Sequence, residues 1–114
     1  IRVYIGELAL CDDVFLQKYQ PHYFESTAVA FPLHVRIPEQ GDRIALKGMQ
    51  QKKKVSRIFI DDKIPFIKRA NWPLLVDTND EPLAILAVRV NNKFSNVQST
   101  KHDYVLIVES DERF

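Results

Sequence analysis

This sequence is poor in cysteine, glycine and histidine, and each shortage removes a class of chemistry. Cys11 is the only thiol, so no disulfide forms within the chain and a disulfide-stapled scaffold is excluded. A lone cysteine fits a reducing compartment, and its plain reading is a small, half-buried apolar residue. Glycine occurs only at Gly6, Gly41 and Gly48. Three scattered glycines build neither a phosphate-binding loop nor a dinucleotide-binding fingerprint. The histidines, His22, His34 and His102, do not stand at metal-ligand spacing. Cys11 with Asp12, Asp13 and His22 is too thin a set for a metal, and no spacing pairs Cys11 with a histidine as a nucleophile. The longest apolar runs are short, such as Leu83–Val88, against the roughly 20 residues that cross a bilayer. Ile1–Leu10 lacks a basic stretch followed by an apolar core, so it does not read as a secretory signal. The chain opens on Ile1 rather than Met, which points to a piece of something longer. On its own residues it reads as a non-catalytic module.

What is present is an ordinary globular composition. The 114 residues are 46% apolar and 27% charged, within the range of soluble domains. The length fits one domain, and a chain of this size buries about two thirds of its unfolded surface. The net charge is +1 from 16 basic and 15 acidic residues, but it is unevenly spread. Residues 1–35 carry two basic and four acidic groups, residues 36–69 ten and four, and residues 70–114 four and seven. A basic middle between mildly acidic flanks is the pattern of one positive face, which a phosphate backbone would select. The plainer alternative is a solvated lysine surface.

Alternation and breakers predict several strands with one or two short helices inserted, an α+β domain with a mixed, sandwich-like sheet arrangement. Arg2–Leu10 reads as a strand, broken by Cys11-Asp12-Asp13. Val14–Tyr19 is ambiguous, and Gln20-Pro21-His22 is a turn or loop. Ser26–Ile37 alternates, placing Val29, Phe31, Leu33, Val35 and Ile37 on one face; Pro32 makes it a bent or edge strand. After the turn at Pro38–Asp42, Arg43–Lys47 is a short strand ended by Gly48. Lys52–Lys63 is the best helix candidate, with Val55, Ile58 and Phe59 on one stripe, and Pro65 breaks it. Phe66–Trp72 fits a second short helix with Pro65 in its first turn. Leu74–Asp77 and Leu83–Val90 form a hairpin across the polar residues 78–82. Asn91–Asp103 reads as loop, with a short strand near Phe94–Val97, and Tyr104–Glu109 is the final strand. By region, residues 1–25 are a linker or N-terminal strand segment, 26–110 the main domain and 111–114 a frayed tail.

The most informative stretch is Gln50–Arg57, where Lys52, Lys53 and Lys54 open the proposed helix. Cations at a helix N-terminus oppose the dipole by a few tenths of a kcal/mol each, roughly. A sequence shaped only by folding would place Asp or Glu there. Lysines in that turn make sense if an anion docks, with free N–H groups and ammoniums acting together on a phosphate. Alternatively the helix starts near Ser56 and the lysines lie in an exposed loop. Arg57, Lys63, Lys68 and Arg69 continue the basic run, and Arg36 and Arg43 flank the turn before it. Phe59, Phe66 and Trp72 are expected to fill the core under the helices. Asp61-Asp62 reads as a helix-surface doublet, since neighbouring helical residues point about 100° apart; Arg57 or Lys63 is its expected partner. Arg89, on an apolar strand, is expected in an ion pair.

From Arg36 to Val90 the order of residues is distinctive. Arg36, Gly41-Asp42-Arg43-Ile44, Lys53-Lys54, Phe59-Ile60-Asp61, Lys63-Ile64-Pro65, Arg69, Trp72-Pro73-Leu74-Leu75-Val76-Asp77 and Val88-Arg89-Val90 follow one another. This run resembles the C-terminal domain of bacterial tRNA(Ile)-lysidine synthetase, over about half of the chain. Two positions depart from the pattern: Ala87 stands where the family usually has glycine, and Asn71 where it has an acidic residue. Ala87 removes a permissive backbone position, so the strand there is expected to run straighter.

The resemblance implies a fold similar to a domain of the phenylalanyl-tRNA synthetase β chain. It implies a cytoplasmic parent enzyme that uses ATP, with Mg, to join lysine to the wobble cytidine of a minor isoleucine tRNA. The family's nucleotide-binding loop lies in an N-terminal catalytic domain outside this chain, so no cofactor is expected here. This piece is then an accessory domain that grips tRNA(Ile) near the acceptor stem, packed with the catalytic domain of the same parent. Carried over by position, Lys53, Lys54, Lys63 and Arg69 match basic motif residues. The full phosphate-contact set is Lys52, Lys53, Lys54, Arg57, Lys63, Lys68, Arg69, Arg36 and Arg43. Lys63 and Arg69 could equally be structural. The rival reading is a protein–protein or dimerisation module, with the lysines serving only solubility.

Overall fold

Six prolines punctuate the chain, and the elements between them are short. The computed structural model describes residues 1–110; the tail expected over 111–114 lies outside the described residues. In chain order the strands are β1 (Arg2–Glu7), β2 (His22–Phe24), β3 (His34–Arg36), β4 (Arg43–Ile44), β5 (Lys53–Lys54), β6 (Leu74–Val76), β7 (Pro82–Ile85), β8 (Arg89–Val90) and β9 (Tyr104–Glu109). The helices are α1 (Asp13–Lys18), α2 (Val55–Asp61) and α3 (Phe66–Arg69). The class is α+β, as expected, and every strand pairing among the described residues is antiparallel. The described residues divide into two compact units, one of residues 1–29 together with 93–110, the other of residues 30–92.

The first unit is built on β9, which pairs with β1 on one side and β2 on the other. Val105, Leu106 and Ile107 of β9 are buried, so this strand is covered on both faces. Phe24 is enclosed and packs its ring 4.8 Å from Phe94 and 5.7 Å from Tyr104. The ambiguous segment after Cys11 is helix α1, because the Asp12 side chain accepts from the Phe15 N–H at 2.7 Å and caps it. The expected strand near Phe94–Val97 is a single bridge between Ser95 and Tyr23.

The second unit holds a sheet ordered β3-β6-β7-β8 and the separate hairpin β4-β5. The expected hairpin forms between β6 and β7, but its second arm is not the single strand expected over Leu83–Val90: the chain turns back after Ile85 and β8 pairs antiparallel with β7. The β6–β7 turn is organised by buried Asp77, whose Oδ1 accepts from the Asn79 and Glu81 N–H groups at 2.9 and 3.0 Å. Val55, Ile58 and Phe59 of α2 face a core completed by Ile44, Ile64, Trp72, Leu74, Val76 and Ile85. Trp72 is buried as expected and donates its indole N–H to the Leu86 carbonyl at 2.8 Å, so its polar atom is satisfied.

Four further expectations are corrected. Ser26–Ile37 is not one strand. Ser26 is drawn into a 3₁₀ turn because Asp103 accepts from both its N–H and its hydroxyl, at 2.8 and 2.5 Å. Only β3 remains extended beyond Pro32, and Phe31, Val35 and Ile37 are exposed. Lys52–Lys63 is a shorter helix, starting at Val55. Phe66 is not a core residue but 84% exposed, because α3 is a single turn between Pro65 and Pro73. Ala87 does not straighten the chain: it keeps φ +66 in the turn closed by the Val88 N–H to the Ile85 carbonyl, 2.9 Å. It occupies the glycine-type conformation without being glycine.

A left-handed backbone costs a non-glycine residue about 1–2 kcal/mol, against about 0.5–1 kcal/mol of extra unfolded-state entropy for glycine. Ala87→Gly is therefore expected to stabilise the chain by about 0.5–1 kcal/mol. Urea denaturation of the two forms checks this, and a loss of stability would contradict it.

Candidate nucleic-acid interface

The basic segment is organised by an acidic residue, Asp42. Gly41, at φ +89, lets the chain turn back so that the Asp42 N–H reaches the Glu39 carbonyl at 3.2 Å. The Asp42 carboxylate accepts both Nη groups of Arg36, at 2.9 and 2.8 Å, and the Glu39 N–H at 2.7 Å. Arg36 also donates Nε to Asp80 at 2.8 Å and Nη1 to the Ile37 carbonyl at 3.0 Å. The side chains of this pair are only 14% and 10% exposed. The Arg36 guanidinium holds the Asp42 carboxyl below the usual carboxylate range, and Asp42 in turn raises the pKa of Arg36. Finally, the Asp42 carbonyl accepts the Val55 N–H at 2.9 Å, which fixes where α2 begins.

Directly after Asp42, β4 pairs with β5 in the register Arg43↔Lys54 and Ile44↔Lys53. Ile44 faces the core, so Arg43 and Lys54 share the outer face. They stand opposite each other, both exposed, and neither has an ion pair among the described residues. Like charges directly opposite in an antiparallel pair are about 5 Å apart at Cβ and destabilise the strands.

The other cations are placed differently. Lys53 reaches Asp61 at 2.5 Å, and Arg57 reaches the same carboxylate at 3.3 Å from one turn back. The hydrogen bond from Lys53 is the main cause that keeps the Asp61 pKa low. Lys52 lies 3.5 Å from Glu81. Arg69 donates Nε to the Ile64 carbonyl at 2.8 Å and sits over the Phe66 ring, 5.6 Å from its centroid. Lys68 is on the same helical turn, half-buried. Lys63 follows α2 in the left-handed region, φ +57, exposed and without an ion pair among the described residues.

The lysines therefore do not occupy the first turn of a helix. Lys53 and Lys54 are strand residues, and the first helical N–H is already bound to Asp42. Lys63 is not the partner of the acidic doublet. Asp61 takes Lys53 and Arg57, while Asp62 takes Arg89 in a two-pronged pair at 2.8 Å each. The expected ion pair of Arg89 thus forms, and the hydrogen bonds from Arg89 lower the Asp62 pKa. Sequence reasoning missed the cross-strand pair of Arg43 and Lys54. The only signal for it was the short apolar alternation of residues 43–46 facing Val55 across the Gly48 turn.

Two outcomes follow for stability. Arg36→Ala is expected to cost about 2–4 kcal/mol, because it leaves Asp42 largely buried without its partner. Arg43→Ala should cost nothing, and Arg43→Glu should gain a few tenths of a kcal/mol, roughly, by creating an opposite-charge pair with Lys54. Denaturant melts of the three variants rank them. For pH, the depressed groups Asp42, Asp61, Asp62 and Asp103 stabilise the fold fully above the unfolded carboxylate pKa near 3.8. That stability is lost as pH falls from there through their lower folded values. A melting temperature flat from neutral to about pH 5 and falling below about 4 is expected; Asp42→Asn should blunt the fall.

Comparison with known proteins agrees with the order of motifs. The model of the family described as the TilS substrate C-terminal domain matches residues 33–106. A tRNA(Ile)-lysidine synthase of Shouchella clausii is 44% identical over 78 residues, which is 66% of this chain and 17% of that protein. One from Bacillus subtilis is 53% identical over 53 residues, 46% of this chain and 11% of that protein. This chain thus spans under a fifth of the length of such relatives. Among solved structures, a TilS C-terminal domain superposes with a TM-score of 0.70 at 24% identity, over 97% of this chain and 83% of that one. An N-terminal fragment of the phenylalanyl-tRNA synthetase β-subunit from Pyrococcus horikoshii gives 0.58 at 15%, over 93% of this chain and 27% of that one. These two likenesses are of fold.

Proposed function

Since this chain belongs to the TilS substrate C-terminal domain family, we propose that it is the tRNA-gripping accessory domain of a tRNA(Ile)-lysidine synthase. The parent enzyme, in this reading, is a cytoplasmic ATP-dependent ligase that joins lysine to the wobble cytidine of a minor isoleucine tRNA. ATP and Mg belong to its N-terminal catalytic domain, the partner of this one within the same polypeptide. The present chain holds the tRNA backbone away from the reacting base, near the acceptor stem.

The observation that carries the proposal is the facing pair Arg43 and Lys54. Two exposed cations opposed across a two-stranded hairpin cost stability and gain nothing from the fold. A phosphate placed over them converts that repulsion into two charge-assisted hydrogen bonds. Lys52 and Lys63, both exposed, widen the positive surface; Lys53, Arg57, Lys68 and Arg69 contribute through their neighbours, and Arg36 through the turn it clamps. Binding of this kind follows shape and phosphate spacing, because the deep groove of an RNA helix does not admit side chains.

Titration of the chain with an unmodified isoleucine tRNA transcript at several salt concentrations tests the reading. Affinity should fall steeply with salt. Arg43→Ala and Lys54→Ala should each weaken binding and flatten the log–log slope by about 0.7–0.9 for every phosphate that is no longer neutralised. Arg43→Glu should bind worst while folding at least as well as the parent chain. Salt-indifferent binding, or variants that bind as the parent chain does, would favour an apolar docking module instead.

A further inference from the structure

The charges on α2 run against the helix that carries them. Arg57 stands in its first turn and Asp61 is its last residue. A base at a helix N-terminus and an acid at its C-terminus both oppose the dipole. A cation four residues before an anion is also the weaker order of such a pair. Two neighbouring carboxylates are held more firmly. Asp42 takes Arg36 on both oxygens as well as a backbone N–H, and Asp62 takes Arg89 on both oxygens. Asp61 has the Lys53 ammonium at 2.5 Å and Arg57 Nε at 3.3 Å, and no other hydrogen bond or ion pair among the described residues. The side chains of Lys53, Arg57 and Asp61 are 28%, 65% and 37% exposed. Ion pairs this open to water contribute little to folding.

We infer that the position of the Asp61 carboxylate, between Lys53 and Arg57, is a second backbone-phosphate subsite, and that Asp61 is an internal competitor which the RNA displaces. This inference rests on the reading of the chain as an RNA-gripping domain and gives Lys53 and Arg57 a phosphate of their own. Successive strand residues point to opposite faces, so Lys53 is not on the outer face that Arg43 and Lys54 share. A phosphate over that pair therefore leaves Lys53 and Arg57 to a different one. A phosphodiester matches the present occupant, because it spreads one negative charge over two free oxygens as a carboxylate does. The exchange keeps both cations paired, and it returns to water an acid that opposes the helix dipole. Because Asp61 must first be displaced, an RNA that touches this subsite alone gains little. An RNA already seated over Arg43 and Lys54 supplies the second phosphate at high effective concentration. Asp61 is thus a specificity-determining residue of the interface.

Titration of the chain with the unmodified isoleucine tRNA transcript at several salt concentrations reads this competition. Asp61→Asn should tighten binding by at least about threefold, since the cations no longer have to leave a carboxylate. It should also steepen the log–log salt slope by about 0.7–0.9, because the freed cations release counterions of their own on the RNA. Lys53→Ala combined with Arg57→Ala should weaken binding, and adding Asp61→Asn to that double variant should bring no gain. The melting temperature of Asp61→Asn should stay close to that of the parent chain, which separates a gain in binding from a gain in folding. If Asp61→Asn binds no more tightly than a parent chain whose binding is salt-dependent, the subsite is overturned and the gripping role stands. If the gain persists in the Lys53→Ala and Arg57→Ala background, Asp61 acts only as a distant negative charge and the subsite is likewise overturned. If neither the parent chain nor Asp61→Asn binds the transcript, both readings fall.

Discussion

The arrangement of the basic segment depends on the clasp between Arg36 and Asp42. One carboxylate closes the turn at Gly41, holds the end of β3 and sets the first residue of β4, while the same residue's carbonyl receives the first N–H of α2. Through Nε, the guanidinium also reaches the β6–β7 turn at Asp80. A largely buried ion pair contributes little net energy by comparison with an apolar pair, but its geometry is demanding. Here that geometry fixes the hairpin that brings Arg43 opposite Lys54. The clasp commits one arginine to the fold so that another can be presented to a ligand.

The net charge of the middle segment overstates the cations on offer. Among the described residues, Arg36, Lys52, Lys53 and Arg57 of this segment stand within 4 Å of carboxylates. These pairings are unequal. The exposed ones are worth little in water and yield readily to a phosphate, whereas Arg36 does not. The candidate interface is thus graded: a structural cation at its base, screened cations around α2, and an opposed pair on its outer face. Such grading makes backbone binding steeply salt-dependent without requiring a deep cleft.

Much of this was legible in the sequence, for local reasons. The β6–β7 hairpin is marked by apolar runs around a polar turn, and α2 by the stripe of Val55, Ile58 and Phe59. The placement of Trp72 and Phe59 followed from periodicity, and the family from the order of Gly41-Asp42-Arg43, Lys53-Lys54 and Trp72-Pro73. What was not legible is set by distant residues. The alternation of Ser26–Ile37 is real, but Asp103, 77 residues away, takes Ser26 into a turn. Lysines are good helix formers, so Lys52–Lys54 read as helix until Arg43 and Ile44 supplied a strand to pair with. The exposure of Phe66 could not be read because a helix of four residues is too short for periodicity to tell a core face from an open one. For Ala87, the missing glycine changed the strain and left the turn intact.

Backbone amide shifts of the isotopically labelled chain, followed through a titration with the tRNA transcript at low and moderate salt, test the central claim most directly. The account predicts that the largest changes fall at Arg43–Ile44 and Lys52–Lys54, extend to Lys63, and shrink as salt rises, with Arg36 and Asp42 nearly unmoved. Changes confined to β1 and α1, or changes indifferent to salt, would contradict it.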